Sequence, residues 1–130
     1  MRALRDGGGV YVNGAENITW PSQIHHNFVD GDLAVYAVYY LDNGASYWWV
    51  HDNVATHAPD AWVYFMTGGG GHPAKNNRME RLWYTKADVL PPTNNCAQYN
   101  CTADAATIVP VEGAWPAAAQ AIIDGSGCGR

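Results

Sequence analysis

With 130 residues the chain has room for one small domain with its own core. A formal charge of −5 with only seven Lys plus Arg leaves no broad basic surface, which excludes nucleic acid as an expected partner. No segment is long and apolar enough to suggest a membrane span, and six Trp and eight Tyr against two Phe favour rings with a polar handle that sit partly exposed.

The first residues, Met1-Arg2-Ala3-Leu4-Arg5-Asp6, lack the apolar run of a signal peptide and lead directly into Gly7-Gly8-Gly9. This start suggests the C-terminal piece of a longer protein, or an incompletely read gene. An internal repeat follows. Its best copy is Val38-Tyr39-Tyr40-Leu41-Asp42-Asn43-Gly44-Ala45-Ser46-Tyr47-Trp48-Trp49-Val50-His51-Asp52-Asn53, with weaker copies from Val10 to Asn27 and from Val63 to Asn77. Val10, Val38 and Val63 recur at intervals of 28 and 25 residues, and Asn27, Asn53 and Asn77 at 26 and 24. Intervals of this size mark stacked arrays, and the Val- and Tyr-rich runs that turn at glycine read as short strands rather than helices.

If such copies stack as parallel strands, equivalent residues form columns about 4.8 Å apart. Val10/Val38/Val63 and Val12/Tyr40/Phe65 are then expected to face inward, and Tyr11/Tyr39/Tyr64 to form an outward ladder. The asparagines suit a bend where side-chain amides bond their neighbours above and below. Ahead of them lie the columns His26/Asp52/Asn76 and His25/His51/Lys75. Arg78 to Thr85 reads as a last strand, Pro91 to Asn95 as a loop, and Trp115 to Gly125 as a short helix with proline in its first turn and glycine as its stop. Two regions are expected: strand repeats over 1–90, and a loop with a capping segment over 91–130.

The Leu41-Asp42-Asn43-Gly44-Ala45-Ser46 turn, the bends at Ile24-His25-His26-Asn27 and Val50-His51-Asp52-Asn53, and the closing Trp115-Pro116 to Ile122-Ile123-Asp124-Gly125 helix together resemble right-handed parallel β-helix proteins of the pectate-lyase-like superfamily. The resemblance implies an all-β parallel β-helix of about three turns with a C-terminal capping helix. It also implies a polysaccharide or other glycan as partner. Full-length members have more turns and an N-terminal cap, so the N-terminal end is expected to be open and capable of self-association.

For chemistry, glycoside hydrolysis needs two carboxyl groups about 5 to 9.5 Å apart. Asp42 and Asp52 are the first candidates, with Asp30 and Asp32 behind them, although Asp42-Asn43-Gly44 is also an ordinary turn sequence. His26 and His51 are further catalytic candidates, an imidazole oriented by Asp52 acting as base. Tyr11, Tyr39 and Tyr64 are the candidate substrate-binding residues. The leading expectation is the C-terminal portion of a secreted glycoside hydrolase, inactive alone if a fragment. The alternative is a non-catalytic carbohydrate-binding or structural segment, and the third a polysaccharide lyase using His25, His51 and Lys75 with Arg78 or Arg81.

No metal site is expected, since His25, His26, His51, His57 and His72 lack a compact zinc spacing. The cofactor expectation is none, with calcium at Asp30-Gly31-Asp32 the one conceivable exception. Gly68 to Gly71 lacks the ending of a phosphate loop. A Cys96–Cys101 disulfide, with Cys128 left over, and the sequons Asn17-Ile18-Thr19 and Asn100-Cys101-Thr102 point to an extracellular location.

Overall fold

Val, Tyr and Trp fit a pleated, half-buried surface, and runs of them set most of the strands. In chain order these are β1 (Gly8–Val12), β2 (Ser22–His25), β3 (Phe28–Asp30), β4 (Ala37–Leu41), β5 (Trp48–Thr56), β6 (Val63–Phe65), β7 (Arg78–Thr85), β8 (Thr102–Ala103) and β9 (Ile108–Val111). One helix, α1 (Ala117–Gly125), follows them, and a 3-10 turn spans Cys96–Tyr99. The computed structural model describes residues 8–14, 20–30, 37–57, 63–66, 72–85, 96–104 and 106–126.

Every strand pairing among the described residues is parallel. One sheet has the order β1-β4-β6; the other runs β2-β5-β7-β8, with β3 also on β5 and β9 also on β7. The long strands β5 and β7 each pair with two short strands because they bend midway. At the bend Asp52 (φ 50°) and Arg81 (φ 48°) are left-handed, and His26 (φ 56°) takes the same conformation in the neighbouring layer. A second set of left-handed corners, Tyr47, Asn76 and Asn100, precedes these strands.

The central core gathers Val38, Tyr39, Leu41, Val50, Val63, Phe65, Met79 and Leu82, with Val10 and Val12 packed against it. Each fully buried side chain of this size contributes about 1.5–3 kcal/mol. A separate cluster of Val54, Ala119 and Ile122, joined by Phe28, Trp83, Trp115 and Ile123, fastens α1 to the six-stranded sheet. Pro116 precedes the helix in extended conformation, and Ser126 ends it by returning both its N–H and its hydroxyl to the Ile122 carbonyl, at 2.8 and 2.6 Å.

These findings overturn the expected all-β right-handed β-helix. Among the described residues the strands lie in two separate parallel sheets of unequal size with no closed solenoid, and a packed helix makes the architecture mixed. The physical reason lies in how the copies are used. A solenoid needs every copy to supply each sheet, but among the described residues the smaller sheet has β1, β4 and β6 alone while the six-stranded sheet continues to β8 and β9. Those two strands, Thr102–Ala103 and Ile108–Val111, both pair with β7.

The register also differs from the columns read in the sequence. Val10 pairs with Tyr39 and Tyr39 with Val63, so the tyrosine column is Tyr11/Tyr40/Tyr64. Its rings meet edge to face at 5.2 and 5.3 Å. Asn53 pairs with Leu82, and Trp48, one residue beyond the Trp49–Arg78 pair, takes the level of Asn77. The asparagine ladder therefore has two rungs, Asn27 and Asn53, whose side chains meet at 3.0 Å.

Candidate functional site

Successive residues of a strand point to opposite faces. In the six-stranded sheet Ile24, Val50 and Met79 go inward, while Gln23/Trp49/Arg78 and His25/His51/Glu80 form two adjoining outward rows. The contacts bear out the shared face. Trp49 and His51 have ring centroids 4.0 Å apart, His25 stacks on His51 at 5.1 Å and 8°, and the Arg78 guanidinium lies 5.3 Å from the Trp49 ring centre.

At the bend a network of charges closes over the second row. Arg81 donates from Nε to Asp52 Oδ1 and from Nη2 to Asp52 Oδ2, both at 2.8 Å, and His51 Nδ1 lies 2.6 Å from Asp52 Oδ2. An ionised carboxylate only accepts, so the His51 Nδ1–H is the donor. His51 Nε2 faces the Gln23 side-chain amide at 3.0 Å. The amide can offer oxygen to a protonated ring or its NH₂ group to a neutral one. Glu80, buried, is held by Arg78 from one side and Arg81 from the other.

These contacts shift the two acids and Arg81 toward their charged forms. The Arg81 hydrogen bond, helped by His51 and opposed by partial burial, holds the Asp52 carboxyl down at about 2. Burial alone would raise Glu80, but hydrogen bonds from Arg78 and then Arg81 outweigh it and hold it below its usual value. Asp52 likewise raises Arg81.

Beside the first row opens a groove of about 450 Å³. Its walls are aromatic: Trp20, Tyr47, Trp48 and Trp49, with Pro21 between. Trp20 is 81% exposed, an unusual position for so large an apolar surface. Gln23, Asn76 and Arg78 supply polar groups at the same groove.

The sequence candidates scatter around this site. His51 and Asp52 are in direct contact, and His26 reaches them through His25, whose Nδ1 lies 2.8 Å from its own. Asp42 stands apart, at the end of β4 in the other sheet, where Tyr11 Oη donates to it at 2.5 Å and the Asn43 N–H at 2.7 Å. Tyr39 is buried, and burial raises its phenol; its one hydroxyl hydrogen is shared between the carbonyls of Val54 and Asn27, at 3.0 and 3.2 Å. Tyr11 is exposed, Tyr64 half-buried, and Tyr40 stands between them. Lys75 bridges to Ser46, leaving Glu80 as the partner of His51.

Asp30 pairs with His57 at 2.9 Å, while Gly31 and Asp32 lie outside the described residues, as do Gly68 to Gly71, the Asn17 sequon and Cys128. Cys101 is disulfide-bonded; the Cys96 side chain lies outside the described residues. Among the described residues no three His, Cys, Asp or Glu side chains converge as a metal-ligand set, and no helix is long and apolar enough to cross a membrane.

The groove residues Trp20, Trp49 and Gln23 were missed in the sequence. A usable signal was there: adjacent tryptophans on one strand, Trp48-Trp49, must place one ring on the outer face.

Comparison with protein-family models, curated proteins and solved structures finds no match. With the two-sheet architecture, this removes the basis for assigning the chain to the pectate-lyase-like superfamily.

Proposed function

We propose that the chain binds a saccharide in the aromatic groove and does not cleave it. The carrying observation is the exposed Trp20 ring facing a groove otherwise walled by Tyr47, Trp48 and Trp49. The C–H faces of a sugar ring pack on indole, and its hydroxyls bond with groups such as Gln23, Asn76 and Arg78. A few polar groups in a mostly apolar concavity is the usual composition of a small-ligand site.

Binding without hydrolysis is supported by the carboxyl groups. A glycosidase needs one carboxyl protonated as acid, whereas no described carboxyl is among the groove-lining residues, and Asp52 and Glu80, in the adjoining charge network, are both held low by arginine. Asp42 sits in the other sheet, tied to Tyr11 and its own turn. The disulfide at Cys101 fits an oxidising, extracellular compartment.

The test is calorimetric titration with a panel of neutral and acidic oligosaccharides, run on the parent chain and on Trp20→Ala. Saturable binding that weakens about tenfold or more in Trp20→Ala, a loss of about 1.4 kcal/mol, supports the proposal. Reducing sugar released by the parent chain, or equal affinity in the variant, overturns it.

A further inference from the structure

We propose that His25 and His26 form a two-nitrogen site for a divalent transition-metal cation of the zinc and copper class. Adjacent residues on a strand ordinarily point apart. Here the left-handed backbone of His26 (φ 56°) turns the chain so that the two Nδ1 atoms face each other at 2.8 Å, with the rings at 87°. The exposed pair lies at the end of β2, an edge strand of the larger sheet.

The His25 imidazole and the His26 backbone are positioned from outside the pair. His25 stacks face to face on His51, whose ring is pinned by Asp52 at one nitrogen and Gln23 at the other. The Asn27 side chain donates to the His25 carbonyl at 2.9 Å. The His26 backbone N–H donates to the Asp52 carbonyl at 2.7 Å, and the His26 carbonyl lies 3.2 Å from the Ser126 hydroxyl oxygen, whose hydrogen it shares with the closer Ile122 carbonyl. The pair is therefore carried on backbone tied to β5 and to the end of α1, with the His25 ring braced by His51.

The geometry is close to what such a cation needs. Two imidazole nitrogens each about 2.0–2.1 Å from a tetrahedral ion lie about 3.3 Å apart. Binding needs this spacing to open by about half an ångström and each ring to turn about its side-chain torsions until its lone pair points at the ion rather than at the other nitrogen. Imidazole suits zinc, copper and nickel, whereas calcium and magnesium prefer oxygen, and affinity should rise from zinc to copper. With two protein ligands, remaining positions fall to water or to an incoming oxygen donor. The site stands independently of whether the groove takes a sugar.

The test is titration of the whole chain with Zn²⁺ and with Cu²⁺, read by calorimetry and by ¹⁵N shifts of the histidine rings. One ion should bind per chain, with both Nδ1 resonances moving. His25→Ala and His26→Asn should each weaken binding about tenfold or more; the asparagine tolerates the left-handed backbone, so the corner stays intact. His72→Ala should leave affinity unchanged. Absence of saturable binding, an equal loss in His72→Ala, or unmoved Nδ1 resonances overturns the proposal, the last of these leaving a plain imidazole hydrogen bond. Circular dichroism confirms that each variant is folded.

Discussion

Arg81 grips Asp52 with two parallel hydrogen bonds of 2.8 Å, and both residues occupy left-handed corners of adjacent strands. The pair joins β7 to β5 at the bend and also holds His51. Its carboxyl is lowered from its ordinary value of 3.8 to about 2, so the unfolded chain binds more protons than the folded one between those values. The pair's stabilisation is thus complete above about pH 4 and lost as pH falls toward 2. Allowing for solvent screening of a partly exposed pair, it amounts to about 1 kcal/mol. Urea denaturation at pH 6 and pH 2.5 should show this loss in the parent chain, and a smaller one in Asp52→Asn. An Asp52→Asn chain with the parent's full acid sensitivity would place the effect elsewhere.

Asn53 is fully buried and satisfies four groups at once. It donates to the carbonyls of Ile24 and His51, and accepts from the backbone and side-chain N–H groups of Asn27. Truncation would leave buried partners unpaired, at about 1–3 kcal/mol for each group that water cannot reach. Asn53→Ala is expected to lose about 3 kcal/mol in chemical denaturation. Asn27→Ala, on a more exposed residue, should lose no more than about half as much. Equal losses would mean that the buried rung does not dominate the ladder.

This contrast also shows what the sequence carried. The recurring Val-Tyr runs correspond to the parallel pairing of β1, β4 and β6, but their register slips by one residue. Side-chain alternation fixes register only when polar residues mark the outer face. In Val38-Tyr39-Tyr40-Leu41 both faces are buried, so the pattern could not choose between Val38 and Tyr39 as the partner of Val10. Likewise Asn53 and Asn77 look equivalent in sequence, yet Asn77 accepts the Trp48 backbone N–H and donates to the Ala45 carbonyl in a different corner. The acidic and histidine candidates of the second copy, His51 and Asp52, do meet. Glu80 could not be recognised as their neighbour without the true register, because the third copy reaches the sheet through Arg78–Thr85 rather than Lys75–Asn77.

Gly8 occupies the edge strand of the smaller sheet with no room for a side chain. A Cβ built there would lie 2.6 Å from the Ala37 carbonyl oxygen and 2.9 Å from Tyr40 Cβ. The first obstacle is backbone and cannot rotate away, so β1 must shift. Gly8→Ala is expected to cost about 1–3 kcal/mol, as overpacking generally does, and to loosen Tyr11 from Tyr40. Faster amide exchange confined to β1 and β4 would bear this out. Unchanged exchange at Tyr40 and Leu41 would show that the edge absorbs the methyl without displacement.

Helix α1 tests whether the C-terminal segment belongs to the folding unit. Ala119 and Ile122 are buried against Val54, so Ile122→Ala removes apolar contact and opens a cavity at a layer boundary. Such substitutions cost about 2–5 kcal/mol, with the lower part of that range expected because solvent lies close to a surface helix. If α1 unfolds with the sheets, urea transitions followed by circular dichroism and by tryptophan fluorescence should shift together to lower urea with one slope. Trp83 and Trp115 line the same cluster and would report the helix leaving its seat. A fluorescence transition that moves ahead of the dichroism change would instead mean that α1 detaches first, and that the two sheets hold together without it.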